Sequence, residues 1–231
     1  FVNYCLNCHS ASMMRFNRLQ DIGLTDEQIS GSLQFTEGRV GDLMKVAMRH
    51  EDGKAWFGAA PPDLSVEARA RASESGSGAD WIYTYLRSYY RDGSRETGWN
   101  NAIFPNVGMP NPLWQWQGMR GAVEERVAPV TDEATGKVTG WTKTTITYDR
   151  EGNKSEKVEK VSGDGLHEGT HFTLGTPEGG TLSQAEFDDK VANLVAFMKF
   201  MSDPSASTRG RLGIWVLLFI ALFVGCTWWL N

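Results

Sequence analysis

Residues 4–10, Tyr-Cys-Leu-Asn-Cys-His-Ser, decide how the rest of the chain is read. Cys5, Cys8 and His9 form C-x-x-C-H, the spacing of c-type haem attachment. On one helical turn, thiols three residues apart can each add to a vinyl group of the macrocycle, and the adjacent imidazole is then turned toward the iron. A zinc site would want a second Cys or His pair, and His50, His167 and His171 have no companion cysteine outside a long apolar run. A thioredoxin-like C-x-x-C would want a βαβ context, which the pattern lacks. The reading is one haem c, held by Cys5 and Cys8, with His9 as an iron ligand.

Such an iron needs its sixth position explained, and the chain has eight methionines. Met13 and Met14 follow the motif too closely to reach the opposite face of the macrocycle. Met44, Met48, Met198 and Met201 sit at core spacing, and Met119 lies at the edge of a polar region. Met109 remains, in Ala102 to Trp114 (AIFPNVGMPNPLW), where Pro105, Pro110 and Pro112 stiffen the backbone and Gly108 allows close approach. The alternatives are His50 as ligand or an open site. His/Met ligation raises the potential and leaves no position for oxygen or peroxide, which favours electron transfer over catalysis, so no catalytic residue is expected.

The 231 residues carry 41% hydrophobic and 22% charged side chains, the composition of a folded domain. With 23 Lys and Arg against 28 Asp and Glu, the net charge of −5 gives no footprint for nucleic acid. Three cysteines, two of them in the motif, exclude a disulfide framework. Leu212 to Leu230 is 19 residues without a charge, about 28 Å as a helix, enough to span a bilayer. Trp215, Trp228 and Trp229 stand where interfacial aromatics belong, and Cys226 within the run reads as an apolar residue. No basic-then-apolar stretch precedes Cys5, so the start reads as processed or truncated.

Helical spacing predicts helices over Gly41 to His50, Asp80 to Tyr90 and Ser183 to Met201, the last opened by a Ser183/Glu186 capping box and followed by Pro204. Gly118 to Gly180 reads instead as a polar excursion of two or three strands, with strands near Lys137 to Tyr148 and Lys154 to Val161 and no core of its own.

Cys5 to His9, Ala60 to Ser65 (APPDLS), Arg69 to Arg71, Gly78 to Tyr83 (GADWIY), the Met109 loop and Leu182 to Gln184, followed by one membrane helix, occur in an order that resembles the cytochrome c1 family. These are the haem subunits of ubiquinol:cytochrome c oxidoreductases, the cytochrome bc1 complexes. The resemblance, of bacterial type, implies a mainly α fold: a class I cytochrome c-like haem domain with an inserted polar hairpin lobe and a C-terminal transmembrane helix. It implies a periplasmic domain over residues 1–208, with the lobe at 118–180, and an inner-membrane anchor over residues 209–231. It also implies Met109 as sixth ligand, Pro61 and Pro62 lining the haem, Arg71 at a propionate, and Trp81 against the haem where the family commonly has Tyr. Read without the family, Arg71 is one charge of a solvated run.

The family implies electrons arriving from a Rieske iron–sulfur protein and leaving to a soluble or membrane-bound cytochrome c, beside cytochrome b in a dimeric complex. The chain itself is then a redox subunit, the complex being the enzyme. Glu124, Glu125, Asp188 and Asp189 are candidates for an acidic docking patch. Arg209 and Arg211 before the apolar run would by charge alone face the cytoplasm, but covalent haem attachment outside that membrane outweighs them. Rival readings are a membrane-anchored c-type cytochrome of another complex, such as an oxidase or dehydrogenase, and a haem enzyme or gas sensor.

Overall fold

In the computed structural model, which describes residues 1–35, 38–132, 135–162 and 166–230, the chain builds a core around one long helix. That helix, Gln184–Ser202, is opened by Ser183, whose hydroxyl accepts from the Glu186 N–H while the Glu186 carboxylate accepts from the Ser183 N–H. Its inner stripe, Phe187, Val191, Leu194, Val195, Met198 and Met201, is buried at the i, i+3, i+4 spacing.

In chain order the elements are β1 (Ala11–Arg15), a 3-10 turn (Phe16–Ile22), α1 (Asp26–Ser32), β2 (Leu43–Met44), α2 (His50–Phe57), α3 (Glu67–Ala70), α4 (Gly78–Arg87), β3 (Tyr89–Arg91) and β4 (Trp99–Asn101). There follow α5 (Trp114–Gln117), β5 (Ala122–Thr131), β6 (Val138–Tyr148), β7 (Lys154–Val161), β8 (Gly169–Leu174), α6 (Gln184–Ser202) and α7 (Ala206–Leu230). Helices α3 and α4 pack on α6, and the N-terminal residues join them, with the Phe1 ring 5.2 Å from that of Phe197 and Tyr4 4.6 Å from Trp116.

The helix expected over Gly41 to His50 is not formed. Met44 is fully buried but pairs with Ala11 as β2, and the Val46 N–H is taken by the Ser10 hydroxyl, so the backbone is committed to β1 before a helix can start. Helix α2 begins only at His50. The helix expected over Asp80 to Tyr90 ends at Arg87, and Tyr89–Arg91 pairs with Trp99–Asn101 as a hairpin.

The excursion forms a four-stranded antiparallel sheet in the order β7-β6-β5-β8, more than the two or three strands expected. It also has a small core, Tyr90, Ala122, Ile146 and Tyr148 with Phe172 and Leu174 against it, where none was expected. With eight strands among the described residues, the molecule mixes α and β and is not mainly α. Helix α7 includes one stretch, Thr208–Leu230, long and apolar enough to cross a membrane, and its side chains are exposed.

If α6 is the spine of the core, Phe187→Ala (2% exposed) should cost about 3–5 kcal/mol, while Val158→Ala on the outer strand (60% exposed) should cost well under 1 kcal/mol. Urea unfolding of the two variants measures the difference.

Candidate functional site

The residues that carry chemistry converge on one groove. At the N-terminus, the Cys5 N–H donates to the Phe1 carbonyl at 2.8 Å and the His9 N–H to the Cys5 carbonyl at 2.9 Å. Two successive turns, not a continuous helix, therefore set the motif's spacing. Burial raises both thiols, Cys5 to about 11, so both are protonated at neutral pH.

His9 is buried, and its Nδ1 lies 2.7 Å from the Pro62 carbonyl. A carbonyl can only accept, so Nδ1 carries the proton and Nε2 keeps its lone pair free for a metal. Burial lowers the imidazole's proton affinity, opposed by that hydrogen bond, and keeps the ring neutral. The Pro62 carbonyl is itself held in place. Asp63 accepts from the Ser12 and Ser65 N–H groups at 2.9 and 2.8 Å, and the Leu64 N–H donates to the Ser10 carbonyl, tying the Pro-Pro-Asp segment to β1.

Opposite, Arg71 pairs with Glu67 at 2.5 Å and lies 4.4 Å over the Trp81 ring. Trp81 stacks on Tyr85, with centroids 5.0 Å apart and planes 11° apart. The Tyr85 hydroxyl meets that of Tyr89 at 2.6 Å and donates to the Met109 sulfur at 3.4 Å. Gly108 sits where a Cβ would lie 2.3 Å from the Phe57 carbonyl oxygen. The close approach its missing side chain allows is thus to α2.

Two apolar clefts border this arrangement. The larger, about 270 Å³, touches Cys8, His9, Pro61, Pro62, Phe104 and Met109, and the smaller, about 90 Å³, touches Cys5, His9, Trp81, Tyr85, Met109 and Met198. They share His9, Pro62, Arg71 and Met109. Each cysteine opens onto one cleft, and a neutral imidazole and a thioether border both, a donor set and an apolar wall that fit a covalently held haem. A larger polar cleft of about 620 Å³, between the lobe and α6, contains none of these residues.

All eight residues singled out from sequence, Cys5, Cys8, His9, Pro61, Pro62, Arg71, Trp81 and Met109, thus meet at one groove. His50 borders neither cleft; it is exposed at the start of α2, on a neighbouring cleft behind Cys8, Pro61 and Pro62 that does not include His9 or Met109. Tyr85 lies within the helix expected over Asp80 to Tyr90, but its bond to Met109 has no signal in the sequence. Met198, given to the core, also borders the groove. The acidic candidates fare worse. Glu124 is 4% exposed and paired with Arg126, Glu125 pairs with Lys143, and Asp188 is bound by Arg87 through both oxygens.

Residues 1–121 match the model of the Cytochrome C1 family. Over 231 residues the chain is 38% identical to a Nitrosomonas europaea protein named ammonia monooxygenase gamma subunit, covering all of this chain and 77% of that one. Over 226 residues it is 36% identical to the cytochrome c1 of Allochromatium vinosum, covering 97% of this chain and 76% of that one. With the C-x-x-C-H turn at the groove and a family match over half its length, the chain belongs to the cytochrome c1 family, c-type cytochromes of electron transport that carry covalently bound haem c.

Proposed function

We propose that this chain is the electron-transfer subunit of a cytochrome bc1 complex, taking electrons one at a time from a Rieske iron–sulfur protein and passing them to a cytochrome c. The observation that carries the reading is the meeting of the His9 imidazole, its Nε2 free, and the Met109 thioether on one apolar groove. Bound haem c supplies a reversible one-electron iron centre. The chain's residues do the rest. Cys5 and Cys8 anchor the group, and the Pro62 carbonyl holds His9 in the tautomer that ligates. Met109 would supply the sixth ligand, with its sulfur polarised by Tyr85, and the apolar walls made by Pro61, Pro62 and Trp81 would keep water from the iron. Arg71, on both clefts, would face the acidic side groups of the macrocycle.

Residues 1–208 form the periplasmic part and residues 209–231 the single-pass inner-membrane anchor, with the helix itself starting at Ala206. Cytochrome b is the membrane neighbour, in a dimeric assembly. The exposed Phe104 on the wall of the larger cleft offers an apolar contact for a redox partner. The paired acids argue against Glu124 and Asp188 as docking charges.

The name of the Nitrosomonas relative supports a second reading, the same haem domain serving another redox assembly. Gentle detergent extraction separates the two. Co-purification with a b-type cytochrome and an iron–sulfur protein is expected; isolation with a monooxygenase and without either would overturn the bc1 assignment.

Met109→Leu should lower the midpoint potential by on the order of 0.1 V or more, within the ~0.8 V that axial ligands span. It should also abolish the methionine–iron charge-transfer absorption and open the ferrous protein to carbon monoxide. No change in all three would refute Met109 as ligand. Tyr85→Phe should keep the ligation but lower the potential by about 20–60 mV, the one-electron equivalent of losing a hydrogen bond of about 0.5–1.5 kcal/mol that draws density from the sulfur. Redox titration of the two variants reads both effects.

A further inference from the structure

The loop that carries Met109 is held from behind by side chains with no place in the groove. Asp92, 2% exposed, accepts from the Ser94 N–H and hydroxyl with one oxygen and from the Asn100 amide, at 2.9 Å, with the other. That fixes the Asn100 amide so that its oxygen accepts the Asn106 N–H, also at 2.9 Å. Arg95 closes the arrangement from outside, donating from Nη2 to the Asn106 carbonyl at 2.9 Å.

Asn106 has φ of +62°, in the left-handed region that Asn tolerates better than most residues. Among the described residues the Arg95 guanidinium finds hydrogen-bond acceptors only on Asn106, and its Nε is buried without one. On the far side of Met109, the buried Asn111 accepts the Leu113 N–H and donates to Gln117, which donates to the Tyr89 carbonyl. Met109 thus hangs between two buried amide anchors, both tied back to the β3–β4 hairpin.

We propose that Asp92, Asn100 and Arg95 act as a latch on Asn106 that keeps the loop closed, making them positioning residues that set how firmly the Met109 sulfur is presented. The inference rests on Met109 being the sixth ligand. Its physical basis is that amide bonds in a low-dielectric interior are costly to leave unmade, so a broken latch favours a swung-out loop over an unpaired Asn106. A network that merely folds the hairpin would change stability alone; a latch also changes the iron's sixth position.

The test is made on holoprotein by measuring carbon monoxide association with the ferrous form and the midpoint potential. Asn100→Ala should bind carbon monoxide about tenfold faster or more, as expected for breaking a buried hydrogen-bonded network, and Arg95→Leu, which loses a more exposed bond, about threefold faster or more, each at a lowered potential. Asn106→Gly, which keeps both backbone contacts and the positive φ, should stay within about twofold of the parent. Ile29→Ala, a cut into the core at α1, sets the baseline for lost stability alone and should leave carbon monoxide binding unchanged. Latch variants that lose stability as Ile29→Ala does but bind carbon monoxide no faster would overturn the proposal. If Asn100→Ala does not retain haem, Arg95→Leu decides, since its side chain reaches the loop from the exposed side. If Met109→Leu itself leaves carbon monoxide binding and potential unchanged, the ligand assignment has failed; if it responds while the latch variants do not, the latch alone has failed.

Discussion

The hydrogen bond from His9 Nδ1 to the Pro62 carbonyl is the constraint on which the rest of the site depends. It chooses the tautomer, leaves Nε2 its lone pair on a ring that borders the groove, and ties the N-terminal turns to a segment 53 residues away. The Pro-Pro pair is suited to holding that acceptor still, because neither residue donates a backbone hydrogen bond and both fix φ, so the carbonyl is presented with little freedom. Asp63 then fastens the segment to β1 through the Ser12 N–H, while its other oxygen accepts the Ser65 N–H within the segment itself. A mobile carbonyl here would let the ring rotate, since among the described residues no second hydrogen bond holds it.

Around that bond the fold divides its labour. Helix α6 supplies the apolar spine, and α4 lies on it: Ile82 and Leu86 are buried in the core, and Trp81 and Tyr85, only partly buried, join them along the smaller cleft. The β3–β4 hairpin leads into the Met109 loop and braces it. The four-stranded lobe stands apart from this chemistry, with its own small core and a polar surface.

What can be read from the sequence is what is local. The C-x-x-C-H turn is five residues long and needs no tertiary information. Met109 can be singled out because the other methionines fall at core spacings or close to the motif, and Met14, Met44, Met198 and Met201 are indeed buried. The stretch Gly41 to His50 misleads because helical spacing says nothing of a strand waiting at Ala11. Strands β5 and β8 escape notice for a related reason. Glu124 and Arg126 look like solvated charges, yet Glu124 is covered by the sheet and paired with Arg126 two residues along the same strand, a burial invisible until the strands are aligned. The same concealment makes Glu124 and Asp188 look like docking acids. The tie from Tyr85 to Met109 spans 24 residues and depends on where the loop returns, which periodicity cannot supply.

The proposed electron transfer stands on a single pair of candidate ligands, His9 and Met109, which border one groove. The most direct measurement is proton NMR of the ferrous, diamagnetic holoprotein with selectively methyl-labelled methionine. A methionine bound to the iron lies in the ring current of the macrocycle, and its methyl signal moves far upfield. One such signal is expected, assigned to Met109 by its loss in Met109→Leu. An upfield methyl that persists in that variant, or none in the parent protein, would contradict the pairing.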